Sequence, residues 1–134
     1  DERPLTWLRR NIALHEIDIR VVASDVSQAL IDVRADIVLA NPPYIATGIS
    51  VPDLVVDHEP HIALFGGDGD GLEIPRQFIA AATRILKPEG LLAMEHAENQ
   101  GAILEAELSS DYREVRIHQD LNKRNRMVTA RKRS

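Results

Sequence analysis

The residues Asn41-Pro42-Pro43-Tyr44 carry groups suited to one task, the methylation of a planar nitrogen. The nitrogen of an amide or an exocyclic amine delocalises its lone pair and is a poor nucleophile, so it must be held in line with the electrophile. A side-chain amide oxygen from Asn41 and the backbone carbonyl of Pro42 are suited to accept its two N–H bonds. Proline supplies a carbonyl without a competing N–H, and two in succession fix φ and hold the loop open. Tyr44 offers a ring face for a flat substrate group or a methyl donor. Each residue is also a turn former, and a plain turn ending a strand would have the same composition.

The surrounding pattern places the tetrapeptide. Pro4, Leu5, Leu8, Ile12 and Leu14 predict a helix over about 4–14. The β-branched runs Ile19–Ala23 and Asp36–Ala40 read as buried parallel strands, with one or two helical turns over Val26–Val33 after a cap at Ser24 or Asp25. From Ile45 to Gly71 prolines, glycines and acids predict a long functional loop with a hairpin, in which Ile62-Ala63-Leu64-Phe65 is strand-like. Leu72–Leu86 reads as a helix ended by Lys87-Pro88-Glu89-Gly90, Leu91–Glu95 as a buried strand and Gln100–Leu108 as a helix. Glu114–His118 and Arg126–Ala130 alternate as an antiparallel pair at a sheet edge. This alternation predicts one α/β domain with helices on both faces of the sheet. Ligands of such sheets bind at the carboxyl ends of the strands, where Asp25, Asn41 and Glu95 fall.

Composition narrows the function. A chain of 134 residues, 44% hydrophobic and 28% charged, has the material for one globular core. Its net charge of −5 weighs against duplex DNA or an anionic membrane as a partner. From Asn122 onward Lys123, Arg124, Arg126, Arg131, Lys132 and Arg133 meet no acid, which predicts a solvated basic end, with RNA contact as the alternative. Cysteine is absent, so neither disulfides, a thiolate metal site nor a thiol nucleophile is expected. No apolar run reaches the roughly 18–20 residues that span a bilayer. A cytoplasmic enzyme without a membrane partner fits these features.

Asn41 to Tyr44 matches the (Asn/Asp)-Pro-Pro-(Tyr/Phe) signature of amino-methyltransferases, a group that includes adenine DNA enzymes, several RNA enzymes and glutamine enzymes. The stretch His58-Glu59-Pro60-His61-Ile62-Ala63-Leu64-Phe65-Gly66-Gly67-Asp68-Gly69-Asp70-Gly71-Leu72 looks like one that precedes a helix in the glutamine enzymes. Leu86-Lys87-Pro88-Glu89-Gly90, Glu95-His96, Gln100-Gly101 and Arg124-Asn125-Arg126-Met127-Val128 extend the likeness over nearly the whole chain. The chain thus resembles the carboxy-terminal part of the catalytic domain of HemK/PrmC-type release factor glutamine methyltransferases.

The resemblance implies a Rossmann-like class I methyltransferase fold, with a mostly parallel sheet and a terminal antiparallel hairpin. It also implies methyl transfer from S-adenosyl-L-methionine (AdoMet) to the glutamine amide of a Gly-Gly-Gln loop in a peptide chain release factor, with S-adenosyl-L-homocysteine as product. Asn41, Pro42, Pro43 and Tyr44 take the catalytic role, Asp25 the contact to the AdoMet adenine and Asn41 the place beside the donor. No metal is implied. For Asp25 the adenine contact is preferred over a plain helix cap, whereas Glu95-His96 is equally suited to a structural pair at a strand end.

The sequence departs from the family in lacking its opening strands, its Asp-x-Gly-x-Gly-x-Gly donor loop and the acid for the ribose, and neither Asp1 nor Glu2 is assigned that last role. Gly66–Gly71 follows the catalytic loop and is not the donor loop. In the family order 3-2-1-4-5-7-6 the missing strands lie between Ile19–Ala23 and Asp36–Ala40. Residues 1–134 are therefore expected to be a partial catalytic domain. Two rival readings remain at this point, an adenine-specific DNA or RNA methyltransferase and a non-catalytic remnant that serves as a binding module.

Overall fold

The computed structural model describes residues 2–134, apart from the side chains of Leu54 and Val56; Asp1 lies outside them. In chain order the elements are helix α1 (Glu2–Leu14), strand β1 (Ala35–Ala40), strand β2 (Ile45–Ala46), the single turns α2 (Asp53–Val56) and α3 (His61–Leu64), strand β3 (Phe65–Gly67), helix α4 (Glu73–Ile85), strand β4 (Leu86–Glu95), helix α5 (Gly101–Leu108), and strands β5 (Tyr112–Gln119) and β6 (Asn125–Lys132). A four-stranded sheet runs β1-β4-β6-β5. β1 and β4 are parallel, and β6 is antiparallel to both β4 and β5. This is the 4-5-7-6 portion of the order expected from the resemblance.

The core forms on one face of that sheet. Leu92 and Met94 are two apart on β4, so both point the same way, and they pair with Ala130 and Val128 of β6. These four residues join Ala82 of α4 and Leu104 and Leu108 of α5 in one buried cluster, with Val38 and Ala40 of β1 packed against it. Helix α4 buries Pro75, Ala81, Ala82 and Ile85, with Phe78 and Ile79 packed partly buried against the core.

The expectation of helices on both faces is corrected. Among the described residues α4 and α5 lie on the same face. On the other, Ile37 and Leu39 of β1 are 57% and 78% exposed. Helix α1 has the predicted apolar stripe but buries no residue, so it does not cover the sheet.

The strand expected at Ile19–Ala23 is also absent, the segment being irregular with Ile19 and Val22 exposed. A single extended segment gains ladder bonds only from a neighbour, and among the described residues β1 pairs with β4 alone. Val26–Val33 forms turns rather than a helix, closed by Gln28 N–H to Asp25 O and Val33 N–H to Leu30 O. Ile62–Leu64, read as strand-like, is helical because Pro60 presets φ at −61° and its carbonyl accepts the Ala63 N–H. The strand starts only at Phe65, and β3 pairs with β2 in parallel rather than as a hairpin.

The basic end is not a solvated tail. Asn125–Lys132 is the interior strand β6, and Lys132 Nζ donates to Thr83 O (2.6 Å) and Leu86 O (2.8 Å) where α4 ends. Arg131 and Arg133 donate to the carbonyls of Glu89 and Ser109. These side chains complete the fold's own hydrogen bonding.

Candidate active site

Asn41 follows the last residue of β1, at the carboxyl end of a strand whose parallel neighbour β4 ends at Glu95. Asn41 is exposed, Pro42 is buried, and Pro43 and Tyr44 are partly buried. The buried ring of Pro42 anchors the loop while the amide before it stays open to a ligand. All four residues line one cavity of 250 Å³, shared with Val55, Glu59, Ala63 and Leu64.

Three contacts fix this loop from behind. The Tyr44 hydroxyl donates to Glu95 Oε1 at 2.7 Å. Burial, then the Glu95 hydrogen bond and charge, push the Tyr44 phenol up to about 12 against the opposing effect of Arg126, so it is a neutral donor at ordinary pH. Gln100 Nε2 donates to both Tyr44 O (2.8 Å) and Asp70 O (2.7 Å). Finally, the Gly66–Gly71 turn presses against the loop backbone. A Cβ at Gly66 would lie 2.6 Å from Pro43 O and 2.8 Å from Tyr44 Cα, and one at Gly71 would lie 2.6 Å from Tyr44 O. Gly71 also has φ +71°, a conformation with little penalty for glycine alone. These glycines form a cradle under the tetrapeptide. Sequence reading matched them to a family pattern without finding that role; their density beside the loop was the available signal.

Asp70 binds the cradle to the helices. Its Oδ1 accepts the Leu72 N–H at 2.9 Å, and Arg76 bridges from Asp70 Oδ2 to Glu107 Oε1, both at 2.7 Å. The Arg76 guanidinium, followed by the Leu72 N–H, holds the Asp70 carboxyl below its usual range.

Glu95 and His96 divide. Alternation along the strand sends them to opposite sides. Glu95 takes the Tyr44 hydroxyl, whereas His96 is 0% exposed and lies near Gly101 and Ile117. His96 Nδ1 is 2.7 Å from Ala97 O; a carbonyl only accepts, so Nδ1 carries the proton. His96 Nε2 has no hydrogen-bond partner among the described residues.

Asp25 lies elsewhere, exposed on the rim of a mostly apolar cavity of 560 Å³ whose walls include Val38, Ala40, Phe65 and Phe78. Its Oδ1 accepts from Ser27 Oγ (2.6 Å) and Ser27 N–H (2.9 Å), which lowers its pKa in that order. The local turn-capping role is thus realised. Pro43 lines both this cavity and that of Asn41, so the two spaces meet at the second proline of the loop.

No family model matches the chain. Over 98% of its length it is 36% identical to the release factor glutamine methyltransferase of Streptomyces coelicolor, of which it covers 48%. Over 71% of its length it is 38% identical to the release factor glutamine methyltransferase of Bifidobacterium longum, of which it covers 36%. The chain therefore spans about half, or less, of the curated relatives it matches. An rRNA methylase structure from Streptococcus thermophilus covers 100% of the chain at a TM-score of 0.61 and 15% identity, with the chain covering 72% of it. That likeness shows a Rossmann-like α/β fold, of which the described sheet is a part.

Proposed function

Since the chain belongs to the family of release factor glutamine methyltransferases, we propose that it forms the acceptor-binding part of an enzyme that methylates the side-chain amide of a glutamine in a peptide chain release factor. The observation that carries the reading is the exposed Asn41 amide at a strand's carboxyl end, on a loop held by Glu95, Gln100 and the glycine cradle. The Gly-Gly-Gln loop of a release factor suits this site because two glycines let a backbone enter a narrow space and deliver a flat amide to it.

The cavity beside Asp25 fits part of the donor. Its apolar walls suit a flat adenine, and a carboxylate at its rim suits an exocyclic amine. Asp25 would hold the adenine of AdoMet, with Asn41 across Pro43 at the methyl end. When bound, AdoMet supplies an electrophilic methyl group.

The chain's own residues act on the acceptor. The Asn41 side-chain oxygen and the Pro42 carbonyl accept the two amide N–H bonds and orient the nitrogen lone pair. As the C–N bond forms, the bond from the methyl to the donor sulfur would break, leaving S-adenosyl-L-homocysteine, and one N–H hydrogen would pass to water as a proton; until it leaves, the oxygen bonded to it meets the growing positive charge. Tyr44, tied to Glu95, forms the wall behind the amide. On this reading the protein works in the cytoplasm, and nucleic acid is not its direct substrate.

The test is to join the chain to the donor-loop half of a related enzyme, incubate it with AdoMet and a release factor, then map methyl incorporation by peptide mass spectrometry. A methyl on the Gly-Gly-Gln glutamine, lost in Asn41→Ala, supports the reading. Methylation of an added adenine-containing oligonucleotide instead would overturn it.

A further inference from the structure

We propose that Gln100 is a positioning residue of this site, whose buried side-chain amide fixes the backbone of the Asn41–Tyr44 loop by bonding Tyr44 O. What the loop does rests on the methyl-transfer reading; what holds it rests on geometry alone.

Gln100 is 2% exposed, and each end of its amide is occupied. Oε1 accepts the Ala97 N–H at 2.8 Å, while Nε2 donates to Tyr44 O at 2.8 Å and to Asp70 O at 2.7 Å. The position therefore needs one acceptor and two donors on a single planar group, which among side chains of this length is the primary amide of glutamine. The reverse amide orientation would set the oxygen against two carbonyls and the NH₂ against an N–H, so one orientation satisfies all three partners.

Capping alone does not account for this arrangement. A cap on the single turn Glu98–Gln100 that leads into α5 needs only the Oε1 bond to Ala97 N–H. The two Nε2 bonds instead reach 56 residues back to the tetrapeptide and 30 back to the glycine cradle. Gln100 thus joins the loop that presents Asn41, the turn beneath it and the end of β4. Partly buried carbonyls left without a donor carry a cost, so removal of Nε2 favours a shift of Tyr44 over tolerance of the gap. Because Pro42 and Pro43 are stiff, a displacement at Tyr44 carries through to Asn41.

The chain has two tyrosines, which give the test an internal control. Tyr44 is on the loop; Tyr112 is 1% exposed in the core, with its hydroxyl 2.8 Å from Thr83 Oγ1. Carbon-13 tyrosine NMR of the full chain is recorded for wild type, Gln100→Glu, which keeps the acceptor for Ala97 but loses the donors, and Gln100→Met, which loses both. The expected result is a displaced Tyr44 signal, its ionisation moving from about 12 toward the ordinary 10.0, beside an unchanged Tyr112 signal. Unchanged signals from both tyrosines would overturn the proposal. Collapse of both signals in the two variants alike would make Gln100 a residue of the whole fold, and would overturn it equally. In the methyl-transfer assay kcat should fall on the order of 10²-fold in the displaced variant with the KM for AdoMet unchanged. If wild type joined to the donor-loop half of a related enzyme transfers no methyl to a release factor, the functional reading fails while the NMR comparison still decides the role of Gln100.

Discussion

The Tyr44 hydroxyl and Glu95 Oε1, 51 residues apart in sequence, meet at 2.7 Å and tie the candidate loop to the end of β4. In this bond the phenol keeps its proton and donates a hydrogen bond to the Glu95 side chain. Two strand ends are thereby locked at the place where a ligand would sit.

Tyr44→Phe removes that donor and leaves a partly buried carboxylate oxygen without it. The expected loss is about 1–2 kcal/mol in urea unfolding. The tyrosine also shapes the alkaline limb. Its folded pKa, about 12, lies above the ordinary 10.0, so folding favours the protonated form. The stability this contributes is full below pH 10.0 and is lost as pH rises through about 12. In the Tyr44→Phe variant the alkaline decline should be shallower, with the remainder reporting Tyr112, whose pKa burial also raises.

Asn41→Ala should leave thermal unfolding unchanged, because Asn41 is exposed. Methyl transfer should fall on the order of 10²-fold or more, because the acceptor amide loses an orienting bond. An equal loss of donor affinity in calorimetric titration would assign Asn41 to the donor instead.

Gly66→Ala and Gly69→Ala separate close packing from backbone strain. A Cβ at Gly66 overlaps Gly71 O and sits 2.6 Å from Pro43 O, so Ala there should cost about 3 kcal/mol. At Gly69 a Cβ meets nothing within 4 Å, and only the φ of +65° counts, for about 1 kcal/mol. Comparable urea midpoints for the two variants would show that the cradle yields.

Lys132→Met should destabilise by about 1–3 kcal/mol, because the Thr83 and Leu86 carbonyls at the end of α4 lose a charged donor. Differential scanning calorimetry at high and low salt checks it, and the deficit should persist in salt because both bonds are partly buried.

Legibility followed the source of each element's stability. α4, β5 and β6 were readable because their apolar period matches the face they bury, and β4 because Leu91 to Met94 form an unbroken apolar run. The segment Ile19–Ala23 has the composition of a strand, yet composition does not supply the neighbour that a ladder requires. At Ile62–Leu64 the decisive residue was Pro60, whose backbone angle outweighed the β-branched side chain beside it. In the site, the tetrapeptide was legible because its chemistry is local. The contacts of Gln100 span 30 and 56 residues, and no period or spacing in a single sequence encodes such a distance.

Strand β1 keeps one ladder edge without a strand partner among the described residues, beside the water-facing side chains of Ile37 and Leu39. Such a margin is adhesive. Two molecules that meet along it can continue each other's ladder, and a chaperone that samples apolar rows would bind it as unfinished folding. Self-association of the purified chain is therefore expected to rise with concentration, and Leu39→Lys to reduce it.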